Sequence, residues 1–150
     1  MTKERKQLVE RIGIYYERSG MQPVASRILG LLLVSEETEL TFDAIREELN
    51  VSKSATSNAL NLLLRLGNIE YITKPGDRKR YFKSALEHWT DAMQDRVNDM
   101  LSFNKLLVQV KEIRTGENKD FENKLDEVIN FMEYLGKELP LLIENWKNKK

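Results

Sequence analysis

Apolar residues recur at helical spacing along most of the chain, and the rhythm gives way only once. Leu8, Ile12 and Tyr15, joined by Val9 and Tyr16, share one face of residues 2–18 until Ser19-Gly20 ends the pattern. An amphipathic helix is predicted there. Pro23 has the φ of a first helical turn and lacks only a donor that would be orphaned anyway, so the apolar run from Val24 to Val34 predicts a largely buried second helix. Thr41 is placed to cap a short third helix carrying Phe42, Ile45 and Leu49, and Asn50 tolerates the left-handed backbone that would stop it. Ser52 caps a fourth helix, Lys53 to Leu66, which Gly67 ends.

The period then changes. Asn68 to Lys74 is β-branched and aromatic, Pro75-Gly76-Asp77 is turn chemistry, and Arg80-Tyr81-Phe82 returns, which predicts a two-stranded hairpin. Beyond Ser84 the chain is helical again to about Arg114. Gly116 and Asn118 interrupt it before a last helix runs to the carboxyl end. The expected fold is mainly α with a small β-hairpin, divided into residues 1–19, 20–84 and 85–150.

The 24 basic and 24 acidic residues cancel, so any nucleic-acid role must rest on local clustering. Residues 51–83 hold seven cations against two anions, whereas 1–50 hold seven against nine and 84–150 ten against thirteen. The helix-plus-hairpin segment is the basic one. With no cysteine the chain has no disulfide, thiolate nucleophile or Cys-ligated zinc, which fits a cytoplasmic protein. No apolar run reaches membrane-spanning length, and the amino-terminal residues lack a signal-peptide core.

Along the fourth helix Thr56, Ala59, Leu60 and Leu63 follow the buried spacing, while Ser54, Ser57, Asn58 and Asn61 occupy the opposite face. Short hydroxyls and amides approach a DNA groove closely and pair with base edges or phosphates. Ser and Asn are also poor interior helix formers, a cost that a merely solvated face has no reason to bear. Ser52 and Lys53 at the capped amino end would seat the helix against phosphate. The hairpin tip adds Arg78, Lys79 and Arg80, suited to a narrow minor groove of negative potential. Arg78 is expected to matter most, with Lys79 and Arg80 turned away or meeting outer phosphates. Asp77 either anchors Arg78 through a bidentate pair or serves as an ordinary turn residue.

Three segments, GMQPVASRILGLLLV, LTFDAIREELNVSKSATSNALNLLLRLGNIEYI and PGDRKRYF, resemble the winged helix-turn-helix of the MarR superfamily, most closely its GbsR-like branch. The wing-strand Leu-Thr signature of mainstream members is replaced by Phe82-Lys83-Ser84-Ala85, in keeping with that branch. The resemblance implies a winged helix-turn-helix flanked by long dimerisation helices, acting as a repressor on a double-stranded DNA operator. The helix at Lys53 to Leu66 would enter the major groove and Arg78 the minor groove.

In the last helix Phe121, Leu125, Val128, Met132, Leu135, Leu139, Leu142 and Trp146 alternate steps of four and three, a heptad seam. Leu86, Met93, Met100 and Leu107 repeat every seven residues in the preceding helix, beside a stripe of Trp89, Phe103 and Val110. These helices are expected to join Leu8, Ile12 and Tyr15 in a homodimer interface, so that two recognition helices read a near-palindrome. Pro140 lies inside the seam and predicts a kink or break near residues 136–140.

One histidine, His88, gives no two-His metal site, and the acidic residues sit at helix-surface spacings with basic partners, so neither an enzyme nor a metal or other cofactor is expected. A helical protein interaction or scaffold module is the alternative to DNA binding, and the cationic hairpin argues against it. The resemblance also implies a quaternary ammonium effector, for which Tyr15, Tyr16, Trp89, Phe103 and Trp146 offer aromatic faces, although core packing is the default role of all five.

Overall fold

The computed structural model describes residues 1–149, so Lys150, the last residue of the expected 85–150 segment, lies outside it. Six helices and three short strands follow one another as α1 (Lys3–Arg18), α2 (Pro23–Val34), β1 (Leu40–Thr41), α3 (Phe42–Leu49), α4 (Lys53–Arg65), β2 (Ile69–Thr73), β3 (Arg80–Ser84), α5 (Trp89–Ile113) and α6 (Lys119–Lys147), with a 3₁₀ turn at Ala85–His88. They group into two compact units, Met1–Glu87 and His88–Lys150.

Local signals set the helix ends of the first unit. The Thr41 hydroxyl accepts from the Ala44 N–H, and Asn50 takes φ 51°, ψ 47°. The Ser52 hydroxyl accepts from the Ala55 N–H to start α4, and Gly67 turns the chain out at φ 67°. The sheet is antiparallel in the order β1-β3-β2. The expected hairpin therefore gains a third strand, Leu40 opposite Phe82 and Thr41 opposite Tyr81. Two residues that lead straight into a helix cap carry no alternation, and only pairing with β3 makes them a strand.

Helix α2 is the hub: Ala25, Ile28, Leu29, Leu31 and Leu32 are buried in one cluster with Ile45, Leu60, Leu63, Ile69 and Phe82. Helix α1 packs on it within the same unit, burying Val9 and Gly13, while Leu8 and Tyr15 stay exposed and Ile12 is half-buried. The approach is close because Gly30 has no side chain; a Cβ there would lie 2.9 Å from the Val9 carbonyl oxygen. Arg27 of α2 fastens the pair by donating to Glu10 at 3.0 Å and to Glu17.

In the second unit α5 and α6 pack side by side. Asn118 caps α6 by accepting from the Phe121 N–H, and Gly116 turns the preceding loop at φ 73°. The helix continues through Pro140, so of the expected kink or break the break does not occur. Proline removes one backbone bond and crowds one turn, and the helix on either side tolerates it. Inward-facing residues are Val97 and Asn104 of α5 and Leu125 and Ile129 of α6. Gly136 admits Leu101 closely, since a Cβ there would overlap the Leu101 side chain.

The heptad seam is accordingly not one buried line. Leu125 is buried, Met132, Leu135 and Leu139 are half-buried, and Phe121, Val128, Leu142 and Trp146 are exposed. Ile129, one position outside the predicted seam, goes inward instead of Val128. Of the five aromatics assigned to core packing, Tyr15, Trp89, Phe103 and Trp146 are exposed and Tyr16 is half-buried. Trp89 and Trp146 meet edge to face, with centroids 4.9 Å apart.

Candidate nucleic-acid interface

Helix α4 presents the two faces its sequence spells out. Thr56, Ala59, Leu60 and Leu63 are buried, with the Thr56 hydroxyl satisfied by the Ser52 carbonyl at 3.0 Å. On the other side Lys53, Ser54, Asn58 and Asn61 are exposed and Ser57 is half-buried. Ser52 and Ser54 have their hydroxyl oxygens 3.2 Å apart at the capped amino end.

Ser57 and Asn61 line a cleft of about 270 Å³ with Phe42, Leu60, Leu64, Phe82 and Arg80. Arg80 also lies 5.1 Å from the centre of the Tyr71 ring on the neighbouring strand. The sequence pattern predicts that Arg80 turns away from Arg78 or meets only outer phosphates. The register pair nearest the hairpin tip, Thr73 opposite Arg80, brings it beside the polar face of α4.

At the tip, Arg78 and Lys79 are exposed and make no ion pair among the described residues. Asp77 does not anchor Arg78. Its Oδ1 accepts from the Lys79 N–H at 2.9 Å, and its Oδ2 accepts from the Tyr81 hydroxyl at 2.7 Å. The Tyr81 bond, followed by that of Lys79, holds the Asp77 carboxyl below the ordinary carboxylate range, and the same bond pushes the Tyr81 phenol up. Of the other cations in the basic segment, Lys74 pairs with Glu39 at 2.9 Å and Lys83 with Glu87 at 3.0 Å. The charge still free to meet an anion is concentrated at Lys53, Arg65, Arg78, Lys79 and Arg80, of which only Arg65 lies outside the residues singled out from sequence. Composition gives the count of cations, but only the fold says which are neutralised.

The polar helix, its cleft with the wing strand and the cationic tip all belong to the first unit. Residues 19–80 match the MarR family. This segment is similar to MarR-family domains. Over 100 residues the chain is 27% identical to the HTH-type transcriptional regulator MmpR5 of Mycobacterium tuberculosis (strain ATCC 25618 / H37Rv), covering 67% of this chain and 61% of that relative's length. A crystal structure described as that of a transcriptional regulator superposes with a TM-score of 0.77 at 21% identity, covering 97% of this chain and 99% of that one. Its likeness shows that the chain shares a known fold. Among the described residues no helix is long and apolar enough to cross a membrane, and no three His, Cys, Asp or Glu side chains converge as a metal site.

Proposed function

We propose that this MarR-type protein is a cytoplasmic, GbsR-like transcriptional regulator that binds a double-stranded DNA operator as a homodimer and represses by occupying it. Helix α4 enters the major groove, with Ser57, Asn58 and Asn61 toward the bases and Ser52, Lys53 and Ser54 toward phosphate. Arg78 reaches the minor groove and Lys79 the flanking phosphates. The observation that carries this reading is the cleft in which Ser57 and Asn61 of α4 meet Arg80 of the wing strand around an apolar lining of Phe42, Leu60, Leu64 and Phe82, joining helix and wing. The relationship to a protein described as a transcriptional regulator supports it.

The dimer draws on residues 1–19 and 85–150. Its support is the apolar side chains that are exposed or partly exposed in the single chain: Leu8 and Tyr15 on α1, and Phe121, Val128, Leu142 and Trp146 on α6. Ile12 on α1 and, on α6, Met132, Leu135 and Leu139 are half-buried, and Leu125 is buried. A quaternary ammonium effector is the accompanying proposal. The exposed faces of the Trp89–Trp146 pair suit such a cation.

Electrophoretic mobility shift on promoter fragments, followed by selection from randomised duplexes, tests the reading. Binding is expected to weaken steeply with salt, and Arg78→Ala to lower the salt slope by about one contact per subunit. Asn58→Ala and Asn61→Ala should relax base preference with little change in that slope, because an amide supplies about 1–3 kcal/mol of discrimination at adenine. Absence of any salt-dependent duplex binding would leave the scaffold alternative standing.

A further inference from the structure

The wing tip is built from two successive turns. Lys74-Pro75-Gly76-Asp77 closes with the Asp77 N–H donating to the Lys74 carbonyl at 3.0 Å, Gly76 taking the φ of 80° that its position requires. The Asp77 side chain then makes the second turn by accepting from the Lys79 N–H. Arg78 is the residue enclosed by that second turn. Its backbone direction is therefore set by where the Asp77 carboxylate is held.

What holds the carboxylate is Tyr81, and Tyr81 is itself fixed from several sides. It sits in the central strand of the sheet, with Ile72 opposite it on β2 and Thr41 opposite it on β1. Thr41 is also the cap of α3, so the strand that carries Tyr81 is tied to the first helix of the helix-turn-helix. The Lys74 ammonium lies over the Tyr81 ring, 4.2 Å from its centre, and is held there by Glu39. A continuous chain of contacts thus runs from Glu39 through Lys74, Tyr81 and Asp77 to the Lys79 amide.

Exposed pairs of this kind add little to global stability, since water competes for every partner. Their effect is conformational. Both oxygens of Asp77 are engaged inside the turn, and the neighbouring guanidinium of Arg78 is left without an ion-pair partner among the described residues. An unoccupied carboxylate beside Arg78 would compete with phosphate for it.

We propose that Tyr81 is a positioning residue for the wing: its hydroxyl holds Asp77 in the turn, and so presents Arg78 to DNA and keeps it from pairing within the protein. The proposal rests on the DNA-binding reading above for its consequence and on the turn geometry for its cause. Tyr81→Phe keeps the ring, the ladder position and the Lys74 contact and removes only the hydroxyl. Amide exchange of Lys79 in the free, full-length protein should speed up several-fold with an unchanged melting temperature. Affinity for a selected duplex should fall about threefold to tenfold, the range expected for one lost hydrogen bond. In an Arg78→Ala background the same substitution should have no further effect on affinity. An unchanged Lys79 exchange rate would overturn the proposal, as would an equal loss of affinity with and without Arg78. If no duplex binds the wild-type protein, the DNA reading fails by itself, and a Lys79 amide no faster in Tyr81→Phe would then overturn the turn-holding role as well.

Discussion

The two units solve the same problem unequally. The first gathers thirteen buried hydrophobic residues into one cluster from four helices and a sheet. In the second, from His88 on, the buried hydrophobic residues among those described are Val97, Leu125 and Ile129, beside a buried polar Asn104. Two helices lying side by side can each bury only the stripe that faces the other, and the remaining apolar positions have nothing to cover them. Trp89, Phe103, Leu106, Ile113, Phe131 and Leu142 are left exposed as a result. The first unit is a finished core; the second buries a single stripe between two helices.

The treatment of buried polar groups repeats the contrast only in part, since Arg46 Nε in the first unit is also buried without a hydrogen-bond partner among the described residues. In the first unit Ser26 and Thr56 return their hydroxyl bonds to the carbonyls four residues back, Gln22 and Ser52, each at 3.0 Å. In the second, Asn104 donates to the Ile129 carbonyl at 3.3 Å, but its own Oδ1 is buried without a partner.

The contrast breaks most visibly by emptying the finished core. Leu63→Ala should lower stability by about 2–5 kcal/mol, because a fully buried side chain leaves a cavity between rigid elements; chemical denaturation followed by circular dichroism measures it. Val128→Asp acts on the other unit and on the dimer reading. Val128 is exposed in the single chain, so the charge should separate the copies without emptying a core, seen by light scattering as halving of the mass. Leu135→Asp is a less clean probe, because Leu135 is already half-buried within its own chain.

Gly30→Ala tests how tightly the first unit is packed. The added methyl meets the backbone of α1 rather than a movable side-chain end, so a loss of about 1–3 kcal/mol is expected in thermal unfolding despite the better helix propensity of alanine. Ser52→Ala removes a cap from α4 and should cost about 0.5–2 kcal/mol by the same measurement. The smallest effect, and the one of opposite sign, belongs to Asn104→Leu. Removing a half-satisfied polar group should leave the α5–α6 pair unchanged or stabilise it by up to about 1 kcal/mol.

Much of this was legible in the chain because local chemistry enforces it. Thr41, Asn50, Ser52 and Gly67 set helix ends through their own hydrogen bonds or their own φ, and the split faces of α4 follow from a fixed 3.6-residue period. Those are properties of neighbours in sequence. Other features depend on what arrives from far away. Leu40 and Thr41 are a strand only because β3 lies beside them, and Ile129 rather than Val128 is buried because the position of α5 chooses the stripe. Glu39 neutralises Lys74, and Tyr81 rather than Arg78 takes the Asp77 carboxylate. A sequence fixes which charges and hydroxyls exist and which helical face they share. Which of them meet, and therefore which cations remain free for an anion, is decided by the sheet register and the packing that bring distant residues within hydrogen-bond reach.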